Sequence, residues 1–136
     1  MKYEFIDDLT SDVLFCAYGQ DLKEVFENSA LAMFTIICDV DKVKQEHKVT
    51  VEVNGKDEDS LLYNWLQELI ALVDTEECFF SSFNITEISP KKLKAEISGE
   101  SMVQEKGQTV VKAVTNYKFG LEKSKEGYKA TVSLDI

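Results

Sequence analysis

The strongest constraint on the fold is a change of hydrophobic period along the chain. From Asp21 to about Cys38, apolar residues recur every three or four positions, which is the period of an amphipathic helix. A second stripe with this period follows possible helix caps at Asp57, Asp59 and Ser60. Its apolar members, up to about residue 74, are Leu61, Leu62, Trp65, Leu66, Leu69, Ile70 and Val73. The sequence therefore predicts two helices that each bury one face.

The rest of the chain has the alternating pattern of strands. Val49, Val51 and Val53 alternate with polar residues, for example, before a turn at Asn54-Gly55. The predicted strands are 3–6, 13–18, 47–54, 78–88, 93–101, 109–122 and 128–135. The order is then β-β-α-β-α-β-β-β-β. Because strands cluster after the helices, we predict an α+β fold with two amphipathic helices on a largely antiparallel or mixed sheet.

Length and composition favour a single domain over residues 1–136, with Phe26 and Trp65 in its core. No repeat or linker divides the chain. Charges near the N-terminus exclude the pattern of a signal peptide, and no apolar run reaches the ~20 residues of a membrane span. The three cysteines form no metal-binding or disulfide pattern, and buried reduced thiols are the simpler interpretation. We therefore expect a cytoplasmic protein without a membrane partner.

The charge balance bears on partners. Twenty-five acidic residues against 15 basic ones give a formal charge of -10, which repels phosphate backbones. Tight direct binding to nucleic acid is therefore disfavoured. A solvated acidic surface is the simplest explanation, and metal cations or a basic partner surface are compatible alternatives between which charge alone does not choose.

No pattern of catalytic residues is evident. His47 is the only histidine, no glycine-rich phosphate loop occurs, and Ser98-Gly99 has no histidine to act as its base. Carboxylates stand in several loops and could supply oxygen ligands for a hard cation, although the EF-hand spacing is absent. These carboxylates are Asp7, Asp8, Asp12, Asp39, Asp41, Asp57, Asp59 and Asp135. A metal-dependent hydrolase would rest on them alone, so we do not expect an enzyme.

The whole chain resembles the archease family. The resemblance lies in Thr-Ser-Asp at 10–12, Ala-Tyr-Gly at 17–19, Phe-Glu-Asn-Ser-Ala-Leu-Ala-Met-Phe at 26–34, Leu-Leu-Tyr-Asn-Trp-Leu-Gln-Glu-Leu at 61–69, Phe-Ser-Ser-Phe at 80–83, Val-Lys-Ala-Val-Thr at 111–115 and Leu-Asp-Ile at 134–136. Archeases assist RtcB-type RNA ligases, which join tRNA halves in tRNA splicing. They promote guanylylation of the ligase and its multiple turnover.

The resemblance also implies a site. A divalent metal, calcium by preference and magnesium or manganese as alternatives, would be held by Asp12 and Asp135, with a backbone or carboxylate oxygen of Ile136. Lys112 would act on the ligase beside this metal. The family has histidines where this chain has Leu9 and Tyr117. Leu9 cannot form a side-chain hydrogen bond, whereas Tyr117 keeps a hydroxyl that could support the aspartates.

The resemblance is also compatible with a second function. Archeases have also been proposed as chaperone-like modules that use an exposed apolar surface to stabilise RNA-processing proteins. Such a role would survive loss of the metal-binding aspartates, which separates it from ligase activation.

Overall fold

Seven strands and two long helices follow one another in the predicted order β-β-α-β-α-β-β-β-β. The computed structural model describes all of residues 1–136. The elements are β1 (Tyr3–Ile6), β2 (Val13–Gly19), α1 (Leu22–Ile37), β3 (His47–Asn54), α2 (Glu58–Thr75), β4 (Cys78–Ser89), β5 (Lys92–Ser101), β6 (Ala113–Ser124) and β7 (Gly127–Asp135). The α+β fold class is confirmed. No helix of the protein combines the length and apolar character that crossing a bilayer requires.

The strands form two sheets. The first has the order β1-β2-β7-β6 and the second has the order β3-β5-β4. Every strand pair is antiparallel, so the sheets are antiparallel throughout and contain no mixed pairing. Gly127, the first residue of β7 after the turn from β6, has a φ of 116°, which a residue with a Cβ rarely adopts. The glycine therefore fits the tight hairpin.

Both helices are capped by aspartates. Asp21 accepts a hydrogen bond from the Glu24 amide at 2.8 Å and begins α1. Asp57 accepts one from the Ser60 amide at 2.8 Å, and the Ser60 side chain bonds the Asp57 amide in return, which completes a capping box. Of the three caps that the sequence offered, Asp57 is the one that begins α2.

One core joins the helices to both sheets. Helix α1 packs on β2 and β7 of the first sheet and on β4 of the second, while α2 packs on β6, β3 and β4. Phe26 and Trp65 are fully buried, as predicted. Ile70 and Val73, the last members of the second stripe, are only partly buried because they lie beyond the core at the end of α2. Asn28, on the polar side of the first stripe, is buried because it donates to the Tyr18 carbonyl at 2.7 Å.

The predicted strand 109–122 begins four residues later in the structure than its sequence pattern indicates. Residues 109–112 read as the beginning of a strand, but β6 begins at Ala113. The reason is the partner strand: Ala113 pairs with Asp135, where β7 ends. The preceding residues instead cover the end of α1, where Gln108 and Thr109 donate their amides to the carbonyls of Ile37 and Ile36. Helix α1 thereby satisfies carbonyls that its own hydrogen bonds leave free.

Candidate functional site

Asp12 and Asp135 lie next to each other at one end of the first sheet. Asp12 directly precedes β2 and Asp135 ends β7. Val13 pairs with Leu134 in the antiparallel register of these two strands. Since Val13 and Leu134 are adjacent, the residues just beyond them on the two strands are neighbours as well, although they are far apart in sequence.

The backbone on either side of Asp135 holds the other two predicted site residues. The Ile136 amide donates to Asp12 Oδ2 at 3.3 Å, which fixes the chain end against the first aspartate. The Lys112 amide donates to the Asp135 carbonyl at 2.8 Å. The structure thus brings Asp12, Asp135, Ile136 and the main chain of Lys112 together.

Hydroxyl groups surround the aspartates. The Ser11 and Ser133 hydroxyls are 2.6 Å apart, and Ser11 also donates to the Val13 carbonyl at 2.8 Å. Thr115 pairs with Ser133 across β6 and β7, and its Oγ1 is buried without a hydrogen-bond partner. A shallow cavity of ≈ 270 Å³ is lined by these hydroxyl residues together with Asp12 and Asp135. Seven of its eight lining residues carry a side-chain oxygen atom, and we call these seven the oxygen-rich cluster: Thr10, Ser11, Asp12, Thr115, Tyr117, Ser133 and Asp135.

The charge of the two aspartates is not balanced by the protein. None of the six ion pairs includes Asp12 or Asp135, and none includes Lys112. Two neighbouring carboxylates repel each other unless a cation lies between or beside them. The arrangement can therefore attract a positive ion.

The donor atoms suit a hard divalent cation. Carboxylate, hydroxyl and carbonyl oxygens are the ligands of calcium, magnesium and manganese, while zinc and copper prefer nitrogen and sulfur. No three His, Cys, Asp or Glu side chains come close enough to hold a metal ion together. A cation here would take its further ligands from the Thr115 hydroxyl, from the main chain or from water. The orphaned Thr115 oxygen fits such a role.

A further acidic residue, Asp8, stabilises the loop that carries Asp12. Its carboxylate accepts hydrogen bonds from Lys118 Nζ at 2.9 Å, from the Thr10 amide at 2.8 Å and from the Tyr117 hydroxyl at 3.2 Å. Lys118 and Tyr117 belong to β6, and β7 lies between β6 and β2. The loop at residues 7–12 therefore reaches across the end of β7. We call the contacts of Asp8 with Tyr117 and Lys118 the loop latch.

An irregularity in β6 makes the loop latch possible. Thr115 pairs with Ser133 and Gly120 pairs with Thr131, so residues 116–119 face a single residue of β7. Lys118 has a φ of 53°, which is uncommon for a residue with a side chain. This four-residue bulge moves Tyr117 and Lys118 out of the hydrogen-bonded ladder and towards Asp8. The hydroxyl of Tyr117 thus supports Asp8 and makes no hydrogen bond to Asp12 or Asp135.

Sequence reasoning placed Asp8 among eight loop carboxylates but did not single it out. Its main partner is the Lys118 ammonium, which with the Thr10 amide holds the pKa of the Asp8 carboxyl at about 2, below the ordinary 3.8. The same contact raises the pKa of Lys118. The available signal was a basic residue, Lys118, within the predicted strand 109–122. Its meaning depended on the bulge, which the sequence did not predict.

The other candidate residues do not line this cavity. His47 is exposed and its Nε2 is 3.1 Å from Glu76 Oε1. Leu9 is fully exposed to solvent. The three cysteines are free and buried, and burial raises the pKa of the Cys38 thiol to about 12. None of these groups contributes to the oxygen-rich cluster.

The fold and this cluster define a two-helix α+β protein with a pair of uncompensated carboxylates at the end of its four-stranded sheet. The model of the Archease protein family (MTH1598/TM1083) matches residues 3–136. A protein archease of Methanosarcina acetivorans is 43% identical over 141 residues, covering 99% of this chain and 96% of that one. A protein archease of Archaeoglobus fulgidus is 39% identical and covers all of both chains. The chain belongs to the archease family.

Solved structures agree with this assignment. The solution structure of Methanobacterium thermoautotrophicum protein 1598 has a TM-score of 0.81 and 38% identity, covering 99% of both chains. The crystal structure of a Thermotoga maritima archease, described as a possible chaperone, has a TM-score of 0.70 at 14% identity. It covers 96% of this chain and 95% of that chain. At this low identity the Thermotoga protein supports the fold alone.

Proposed function

We propose that this protein is a metal-binding accessory protein that promotes guanylylation and multiple turnover of an RtcB-type RNA ligase in tRNA splicing. The observation that carries the proposal is that Asp12 and Asp135 lie next to the paired residues Val13 and Leu134 at the sheet end, without a cationic partner and beside the main chain of Lys112. Membership of the archease family supplies the kind of partner.

Asp12, Asp135 and a main-chain oxygen of Ile136 would hold the cation, with calcium preferred and magnesium or manganese as alternatives. When bound, the cation supplies positive charge that neutralises the aspartates and attracts an anionic group of the partner or its nucleotide. The protein's own contribution is to hold these oxygens in place. The amide of Ile136 orients Asp12, and the loop latch holds the loop in which Asp12 lies.

Lys112 would provide a second positive group at this end. Its side chain is exposed and forms no ion pair, while its amide is fixed by the Asp135 carbonyl at 2.8 Å. An exposed, unpaired ammonium on a fixed main chain can meet a phosphate or carboxylate of the ligase. In a protein of formal charge -10, such a group is better suited to contact with one anionic site than to binding along a nucleic acid.

The decisive assay is guanylylation of the ligase with GTP and divalent metal. Asp12→Ala and Asp135→Ala should abolish stimulation without unfolding the protein, because exposed carboxylates add little stability while a cation loses necessary ligands. Lys112→Ala should impair stimulation and leave cation affinity, measured by calorimetric titration with calcium, largely intact.

Matched controls exist for each charge. Asp41 is exposed in a short 3-10 helix and Lys91 is exposed in a turn, and neither forms an ion pair or lines the cavity beside Asp12 and Asp135. Asp41→Ala and Lys91→Ala should therefore stimulate like the unmodified protein. The folding of all variants is compared by circular dichroism. If Asp12, Asp135 and Lys112 variants all stimulate normally, the metal-site mechanism is wrong.

A chaperone-like binding module for RNA-processing proteins is the second candidate function. It is favoured by a cavity lined mainly by apolar residues, where Val110 and Met102 are exposed. The Thermotoga relative is described as a possible chaperone. This function predicts that a partner is protected from aggregation equally well by the Asp12→Ala and Asp135→Ala variants and in the presence of EDTA.

A further inference from the structure

A cavity of ≈ 560 Å³ lies between the ends of the two helices and the irregular segment that precedes β6. This volume is within the usual range of ligand sites. Seven of its twelve lining residues are hydrophobic, and they come from both helices, from β4, from the residue after β5 and from the segment before β6. They include Ile37, Ile70, Val73, Phe79, Met102 and Val110. We call this cavity the apolar groove.

The apolar groove exposes side chains that would otherwise belong in a core. Ile70 and Val73 continue the buried stripe of α2 but are only partly covered. Met102 is 42% exposed and Val110 is 79% exposed. Contiguous apolar surface of this kind costs free energy in water and commonly marks a contact with another molecule.

Acidic residues border one end of the apolar groove. Asp74 lines it, and an adjoining cleft that shares Asp74 and Met102 is also lined by Glu76 and Glu77. His47 meets Glu76, but no cationic group pairs with Asp74 or Glu77.

The position of these carboxylates adds to their effect. Asp74 lies in the last turn of α2, which contains no basic residue, and Glu76 and Glu77 directly follow the helix. A helix C-terminus carries partial negative charge, so acidic groups there are unfavourable in the free protein. The unpaired negative charge at this end of the apolar groove therefore attracts a cationic group of another molecule.

The main chain along the apolar groove also has free hydrogen-bonding groups. Thr109 donates to the Ile36 carbonyl and Lys112 donates to the Asp135 carbonyl, but no backbone hydrogen bond involves Val110 or Val111. Val111 is buried, whereas Val110 is exposed, so the N–H and C=O groups of Val110 are available in a segment that belongs to no strand. An extended peptide can pair with such groups while its alternate side chains enter an apolar cavity.

We propose that the apolar groove binds an extended segment of a protein partner that carries alternating apolar side chains followed by lysine or arginine. The apolar side chains contact Ile70, Val73 and Val110, the peptide main chain pairs with that of Val110, and the basic residues meet Asp74 and Glu77. The charge complementarity at one end fixes the direction of the segment. This site is separate from the cation site and needs no divalent metal.

The test uses fluorescein-labelled peptides of alternating valine and threonine that end in lysines. Matched peptides end in glutamates, or carry serine in place of every valine. Fluorescence anisotropy in the presence of EDTA measures affinity, and amide chemical shifts of the protein locate the site. The lysine peptide should bind and shift the Val110 and Val111 amides, while the glutamate and serine peptides should bind much more weakly.

Two double variants distinguish binding at a specific site from general attraction of a basic peptide to an acidic protein. Asp74→Asn combined with Glu77→Asn should weaken binding by about threefold to tenfold, as expected for exposed charge pairs. Asparagine suits position 77, where φ is 52°. The control is Glu122→Gln with Glu126→Gln, which removes the same charge from exposed positions without ion pairs. This control should bind as the unmodified protein does.

The apolar contact is tested in the same way. Val110→Ser should weaken binding, whereas Leu9→Ser, at an exposed leucine outside the apolar groove, should not. Equal binding of the glutamate peptide, equal loss in the Glu122 and Glu126 control, or no shift at Val110 overturns the proposal. Sedimentation of the free protein as a dimer that Val110→Ser dissociates would overturn it as well, since the occupant would then be a second copy of this chain.

Discussion

At the scale of single residues, Trp65 connects the two helices. Its side chain is fully buried, and its indole Nε1 donates to the Phe26 carbonyl of α1 at 3.1 Å. A buried tryptophan contributes a large apolar area, and its one polar group needs a partner. Trp65 satisfies both conditions in the layer shared by α1 and α2.

Replacing Trp65 by alanine should lower the free energy of unfolding by ~3 to 5 kcal/mol, because burial is lost and a cavity remains. The midpoint of chemical denaturation followed by circular dichroism measures this change. Trp65→Phe, which keeps an aromatic ring but loses the hydrogen bond to Phe26, should be destabilised less. An unchanged midpoint in Trp65→Ala would show that this side chain does not hold the core together.

Asp8 gives a prediction for the pH dependence of stability. Its folded pKa of about 2 lies below the ordinary 3.8, so its contribution is present above about pH 4 and is lost as the pH falls through 2. Thermal unfolding of Asp8→Asn and the unmodified protein should therefore differ at neutral pH and converge at acidic pH. Asp7→Asn, which removes an exposed neighbouring carboxylate, is the control. A constant difference over this range would exclude the charged contact with Lys118 as its cause.

At the scale of elements, a helix begins where a local hydrogen bond caps it. A strand begins or ends where its partner strand does. Asp57 begins α2 through its own side chain, and its hydrogen bonds with Ser60 lower the pKa of the Asp57 carboxyl. The start of β6 at Ala113 depends instead on where β7 ends. The start of a capped helix can therefore be predicted from the sequence pattern directly. The start of a strand such as β6 can be predicted only when its partner strand is known.

The cap of α2 can be tested by substitution. Asp57→Ala should reduce the free energy of unfolding by about 0.5 to 2 kcal/mol, because the Ser60 amide loses its acceptor. Glu58→Ala removes the same charge from the first turn of the helix without removing a cap and should have a smaller effect. Denaturant titrations of both variants decide between the cap and the charge. Equal losses would assign the effect to charge alone.

At the scale of the whole molecule, one set of contacts joins the two sheets. A cluster of 31 buried residues contains members of both helices and of both sheets. The helices therefore cannot leave one sheet without exposing apolar surface of the other. Such sharing favours unfolding as a single cooperative unit.

Chemical denaturation should accordingly give one transition. Trp65 fluorescence reports the environment of α2 at the shared core, and far-ultraviolet circular dichroism reports both sheets and both helices. The two signals should have the same midpoint and slope. Separate midpoints would mean that one sheet unfolds independently of the helices.

The sequence by itself determined the order of the elements, the buried faces of both helices and the core positions of Phe26 and Trp65. These features depend on periodicity and on caps within a few residues of each other, so local chemistry suffices to predict them. The motifs of the chain also indicated the archease family, to which it belongs. The roles of Asp12, Asp135, Ile136 and Lys112 with a divalent metal and an RNA ligase stay predictions.

Tertiary structure alone decided the division into two sheets, the neighbouring positions of Asp12 and Asp135, the loop latch at Asp8 and the exposure of Ile70 and Val73 in the apolar groove. Each of these features joins residues that are distant in sequence, or depends on what a neighbouring element leaves uncovered. The hydrophobic pattern specifies which face of an element is apolar. Only the packed chain determines whether that face meets another element or remains open to a partner.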